Sequence, residues 1–214
     1  MRTEHILIVS CEWIAFLAWV FNYARLKEPK YRVFVFYLGF LAGTELANLL
    51  LWRSNSSPTN WIVNHVNVPV QFFFWYYFLL YKYDKNRRIV FYSFVVLYAA
   101  AYVSEQVQLF TKPVNFDSFS YGIGVLLLLS AIVIAIKDFF WSEKVARYQR
   151  ETIFWMLIGL TVYYMGSFPY QLFKNYFWSD PKMYDRAYLL YYTSGGLNCI
   201  MYLFFAYSVR WKIN

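Results

Sequence analysis

The chain has 214 residues, of which 60% are hydrophobic, 25% aromatic and 15% charged, with a formal net charge of +8. Soluble domains average about 45–50% apolar and about 25% charged residues, and a compact soluble fold of this size cannot hide so much apolar surface. Disorder needs the opposite composition, and two cysteines cannot make a disulfide scaffold, which leaves an integral membrane protein.

A bilayer-crossing helix needs about 20 mostly apolar residues. Seven stretches qualify: Ile6 to Tyr23, Val33 to Trp52, Trp61 to Tyr81, Ile89 to Ser104, Tyr121 to Ile136, Thr152 to Phe173 and Ala187 to Ser208. They predict an all-α, seven-transmembrane helix bundle that takes up residues 1–214 as a single domain. The first stretch holds Glu12 and is followed by no small-residue cleavage site, so it reads as a retained span rather than a signal peptide. Polar clusters punctuate the rest. Arg53 to Asn60 and Lys82 to Arg88 read as turns, and Asp180-Pro181-Lys182 as a break before the last span. The segment from Lys137 to Glu151, with Phe139, Phe140 and Trp141, reads as lying along the inner membrane surface.

The basic residues are uneven. The loops after spans one, three and five, with the C-terminal tail, hold fourteen, and the opposite side holds six. Basic residues collect on the cytoplasmic side, so the expected N-terminus is outside and the C-terminus cytoplasmic. The positive charge then orients the chain and faces anionic lipid. Nucleic acid is not an expected partner, because no basic arm or domain projects from the bilayer.

Ionisable groups inside hydrocarbon are costly and point to function. Glu12 and Glu45 sit at similar depth in the outer halves of spans one and two, with His65 in the outer half of span three. A proton shared by the two carboxyls, or a His65 partner, would relieve their burial. Glu105 closes the outer end of span four and reads as solvated. Helical spacing groups Glu45 with Asn48; Asn64, Asn67 and Gln71; Tyr164, Ser167 and Gln171; and Tyr191, Gly195 and Asn198. Most of these lie in the outer half, which predicts a polar pocket opening outward. The bland alternative is that such groups only join helices by hydrogen bonds. Val68-Pro69-Val70-Gln71 and Phe168-Pro169-Tyr170-Gln171 place proline two residues before glutamine on spans of opposite direction, the pattern of an inverted repeat.

Other chemistries are excluded by what is missing. No lysine lies within a predicted span, which removes a retinal Schiff base. Two histidines, His5 and His65, cannot build a histidine-rich metal site, and no phosphate-binding loop is present. No metal, cofactor or catalytic residue is expected. Cys11 and Cys199 read as small buried hydrophobes, and Gly195-Gly196 as a place of close helix approach.

Thr44-Glu45, the Asn64-His65 to Gln71 stretch, Phe154-Trp155 with Gly159 and Gly166, and Asn198 followed by Trp211 resemble a family of small bacterial seven-span proteins. An acid often stands in that family where this chain has Gln71. A looser similarity, carried by the acid of span two with Trp61 and Pro69, is to the seven-span sensor region of some histidine kinases. The resemblance implies ligand sensing in a bacterial cytoplasmic membrane, without an attached kinase. The expected function is therefore a receptor-like or sensory membrane protein that binds a small or lipid-like ligand and acts through a separate signalling partner. The expected ligand-binding residues are Glu12, Glu45, Asn48, Asn64, His65, Gln71, Gln171 and Asn198. The alternatives are a small transporter and a lipid-modifying enzyme that uses the carboxyl pair as acid and base.

Overall fold

The computed structural model describes residues 2–52, 57–81, 85–109, 118–141 and 150–211, with side chains for 5–50, 65–81, 85–107, 119–141 and 150–211 other than 175 and 179. Among them the chain forms seven long α-helices: α1 (Arg2–Phe21), α2 (Pro29–Trp52), α3 (Ser57–Leu80), α4 (Lys85–Leu109), α5 (Ser118–Phe140), α6 (Thr152–Ser179) and α7 (Tyr184–Ser208). Five stretches are long and apolar enough to cross a membrane: Pro29–Leu50, Lys85–Val107, Phe119–Phe140, Thr152–Lys174 and Pro181–Ser208. His5–Phe21 is a shorter apolar helix. The protein is thus an all-helical, multi-pass membrane protein.

Several helices outrun their apolar stretches. Ser57–Asn60 and Lys85–Arg88, expected in turns, are helical, and α6 continues past Phe173 to Ser179. The backbone keeps its i to i−4 bonds beyond the point where side chains stop being apolar. Lys85, Lys137 and Lys174 thereby become helical, each within the last two turns of a helix end. The break at Asp180 is where it was expected. Its carboxylate accepts the Lys182 N–H at 3.0 Å, opening a short 3-10 turn over Pro181–Met183. Of the Lys137 to Glu151 segment, residues 142–149 lie outside the described residues, as do 53–56 and 82–84 of the two polar turns.

Side-chain contacts give each helix its direction. His5 meets Glu45 and Phe16 meets Gly39; Thr44 meets Asn67 and Tyr37 meets Phe74. Tyr102 meets His65 and Tyr76 meets Phe94. Glu105 meets Ser120 and Arg87 meets Asp138. Gly122 lies near Leu172, and Phe139 stacks on Phe154. Gly166 lies near Leu197, and Trp155 stacks on Phe204. Each pair couples a low number on one helix with a high number on the next, so consecutive helices run antiparallel. Helices α1 and α7 run parallel, since Ile8 lies near Gly195 and Trp19 near Phe205. The order around the bundle is α1, α2, α3, α5, α6, α7 and back to α1, with α4 outside against α3 and α5.

The interior at the level of Trp19 is filled by rings. Trp19, Phe34, Trp75 and Phe205, from α1, α2, α3 and α7, are all 0–1% exposed. Phe34 touches the other three, with ring centroids 4.8, 5.8 and 5.5 Å away. The Trp19 indole donates to the Phe205 carbonyl at 2.8 Å. Outward-facing positions such as Phe21, Phe36, Val96, Val133 and Leu189 are largely exposed, as lipid contact requires.

Pro69 and Pro169 stand inside continuous helices. A proline leaves the carbonyl four residues earlier without its helical donor. For Pro69 that carbonyl is His65 O, and the Tyr102 hydroxyl of α4 donates to it at 3.1 Å. For Pro169 it is Met165 O, on an exposed face. Tyr102→Phe should therefore cost about 1 kcal/mol, the net value of one hydrogen bond. In a Pro69→Ala background the helix supplies its own donor, so most of that cost should vanish. A double-mutant cycle of unfolding in mixed micelles reads the difference, because other contacts of Tyr102 cancel. Equal costs in the two backgrounds would refute the assignment.

Candidate functional site

The polar residues gather on the side of the aromatic layer that holds the beginnings of α1 and α7. Glu12 projects inward from α1 about two turns above Trp19 and is 4% exposed. Its carboxyl is within electrostatic reach of Glu45 and within hydrogen-bonding reach of the Tyr202 hydroxyl. Tyr37 on α2 and Tyr163 on α6 lie within electrostatic reach of it, with their hydroxyls turned to Trp75 and Gln71 and to Tyr121 and Ser167. Cys11 and Cys199 lie beside each other at the α1–α7 contact close to it.

Glu45 sits nearer the helix ends. His5 Nε2 is 3.7 Å from Glu45 Oε2, and the Asn48 amide faces the same carboxylate. On α3, Asn67 donates to Thr44 Oγ1 at 3.0 Å, while Thr44 donates to Leu41 O at 2.9 Å. Gln71 reaches toward Tyr37, and Ser167 toward Tyr121 and Tyr163.

Burial leaves several polar atoms without a hydrogen-bond partner, among them Glu12 Oε2, Asn48 Oδ1, Asn67 Oδ1, Ser167 Oγ, Gln171 Oε1, Asn198 Oδ1 and the Tyr164 and Ser120 hydroxyls. Asn198 stands one turn from Tyr202 on the same face of α7. Buried polar atoms are nearly always satisfied, so such a group calls for water, an ion or a ligand.

The structure thus brings Glu12 and Glu45 together, with Asn48 beside Glu45. It does not bring His65 to them. His65 faces α4, where its Nδ1 is 3.2 Å from Gln106 Nε2. His5 takes the place at Glu45 that His65 was expected to fill. The helical wheel explains this, since His65 is rotated about 100° from Asn64 and so points away from the Asn64, Asn67 and Gln71 face. The Asn64 side chain lies outside the described residues. Glu105 is also better placed than expected. Rather than being solvated, it accepts from Phe119 N at 3.0 Å and Ser120 N at 2.7 Å. It thereby caps the first turn of α5 from a neighbouring helix, where a carboxylate also suits the helix dipole.

Sequence reasoning missed His5, Tyr37, Tyr163 and Tyr202. The signal for two of them was present. His5 is two turns before Glu12, and Tyr202 continues the Tyr191, Gly195, Asn198 face. An open apolar groove of about 490 Å³ lies on the far half of the α6–α7 face, lined by Trp155, Ile200, Leu203, Phe204 and Tyr207. It contains none of the expected ligand-binding residues. Among the described residues no group of three or more His, Cys, Asp or Glu is placed to hold a metal ion.

No family model, curated protein or solved structure matches the chain.

Proposed function

We propose that this protein is a receptor-like or sensory seven-span bundle that binds a small or lipid-like ligand in its polar half and acts through a separate partner. The N-terminus is outside and the C-terminus cytoplasmic, which agrees with the basic residues and with seven helices of alternating direction. The observation that carries the reading is the pairing of two layers. Orphaned polar atoms on α1, α2, α3, α6 and α7 stand above a solid layer of aromatic rings. Polar atoms closed off below by packed rings suit detection better than passage.

The test is thermal unfolding in lipid nanodiscs against a panel of small polar compounds and lipids. A stabilising compound should lose its effect in Glu45→Leu, and that variant should still insert. Stabilisation that survives in Glu45→Leu overturns the assignment of the site. Transport is the second reading, favoured by the two proline–glutamine pairs on α3 and α6. Uptake in proteoliposomes, with and without a pH gradient, separates it from sensing.

A further inference from the structure

Most orphaned atoms of the polar half share one chemical character, the Tyr164 and Ser120 hydroxyls, which donate or accept, being the others. Glu12 Oε2, Asn48 Oδ1, Asn67 Oδ1, Gln171 Oε1 and Asn198 Oδ1 are all acceptors, and Ser167 Oγ accepts as readily as it donates. The orphaned indole N–H groups, those of Trp75 and Trp211, belong to the aromatic layer and to the opposite end. Two of the amide orientations are dictated by neighbours. The Thr44 hydroxyl is already committed to Leu41 O, so it can only accept, and Asn67 must present its NH2 there. Asn48 likewise turns its NH2 to the Glu45 carboxylate. The oxygens are left over in both cases.

Charge points the same way. Glu45 has His5 at 3.7 Å. Among the described residues no cation acts on Glu12, which meets a second carboxylate and a tyrosine hydroxyl instead. Its free oxygen is buried in a side chain only 4% exposed. An anion would be repelled by the two carboxylates. A neutral ligand would supply no counter-charge to Glu12, whereas a cation lets the buried carboxyl stay ionised. A divalent metal fits less well, because Glu45 is already engaged by His5 and, among the described residues, no group of three His, Cys, Asp or Glu is placed to hold one.

We propose that the polar half binds a protonated primary amine. Its ammonium would sit at Glu12 Oε2, with a further N–H turned toward the Asn198 amide oxygen, one turn from Tyr202 on the same face of α7. An ammonium carries one positive charge, three donors and no acceptor, the complement of what the cluster presents. The proposal rests on the reading of the polar half as a ligand site, and it names the chemical class of the ligand. A free amine and the headgroup of an aminophospholipid share this chemistry.

The test uses the full chain in phosphatidylcholine nanodiscs, with thermal unfolding followed at equal ionic strength in n-butylammonium, tetramethylammonium or sodium chloride. Only n-butylammonium should raise the unfolding temperature. Glu12→Gln keeps the shape and removes the charge, and should weaken the effect at least about tenfold, as loss of a charge-assisted hydrogen bond in a dry site implies. Asn198→Leu should weaken it less. Ethanolamine in solution and phosphatidylethanolamine in the disc separate the two sources, and a Glu12-dependent effect of either supports the proposal. Equal stabilisation of wild type and Glu12→Gln overturns it, as does a response to sodium or tetramethylammonium as large as that to n-butylammonium. If every amine fails while another compound stabilises the wild type but not Glu45→Leu, the amine is refuted and the receptor reading stands.

Discussion

Replacing Phe34 with alanine should destabilise the bundle by about 2 kcal/mol, the cavity share of what truncating a buried aromatic ring costs in a water-soluble protein. Phe34 is 0% exposed and packs against Trp19 of α1, Phe74, Trp75 and Phe78 of α3, and Phe205 of α7. It is therefore the hub through which α2 holds three other helices. The physical origin of the loss is specific to a membrane. Separated helices stay in lipid, so no hydrophobic transfer is lost when the ring is removed. What is lost is dispersion contact with close-packed rings, since a cavity leaves their surfaces without partner atoms. Phe36 is the control. It lies two residues away on the same helix and is 70% exposed, so Phe36→Ala should change stability by no more than about 0.5 kcal/mol. Unfolding in mixed micelles compares the two. Equal losses would mean that the aromatic layer is not the structural centre of the bundle.

The helical class and the order of elements were legible in the sequence because hydrocarbon tolerates little but apolar helices. The ends were not. Ser57–Asn60 and the last turns of α6 are polar yet helical, since hydrogen bonding of the backbone continues into the interface, where composition no longer constrains it. Glu12 and Glu45 were legible as buried acids because each interrupts an apolar run. Their partners were harder. Pairing depends on rotation about the helix axis, and a single step of about 100° turns His65 to α4 instead of α2. Tyrosine concealed the rest. The chain has 22 tyrosines, which read as apolar bulk or interfacial belt in a hydropathy profile, and only the packing shows that the Tyr202 hydroxyl reaches Glu12 with Tyr37 and Tyr163 nearby. The cap made by Glu105 was equally hidden, because it joins a side chain to backbone N–H groups 14 and 15 residues on.

Gly159→Leu should cost at least about 1–3 kcal/mol, the range for overpacking a close contact, and should also abolish any response of the polar half. A Cβ at Gly159 would stand 2.9 Å from Phe204 Cβ and 3.2 Å from the Met201 carbonyl. Neither atom is the loose end of a flexible side chain. One is fixed to the α7 backbone and the other belongs to it, so the strain can be relieved only by moving the helix. Tyr202 follows Met201 directly, and Asn198 lies one turn before it. Any displacement of α7 from α6 therefore draws both away from Glu12. Gly196→Ala on α7 and Gly43→Ala on α2 meet nothing within 4 Å, and should be neutral or stabilising by up to about 1 kcal/mol through helix propensity. Gly166→Ala separates crowding from position. Its Cβ would meet the Leu197 Cδ1 at 2.5 Å, a closer approach, but to a side-chain tip that can rotate. If the shortest distance governs, Gly166→Ala costs more than Gly159→Ala. If resistance of the backbone governs, Gly159→Ala costs more, and it alone carries a loss of ligand-induced stabilisation with it. The second order is expected, and thermal unfolding of the two alanine variants with and without n-butylammonium decides between them.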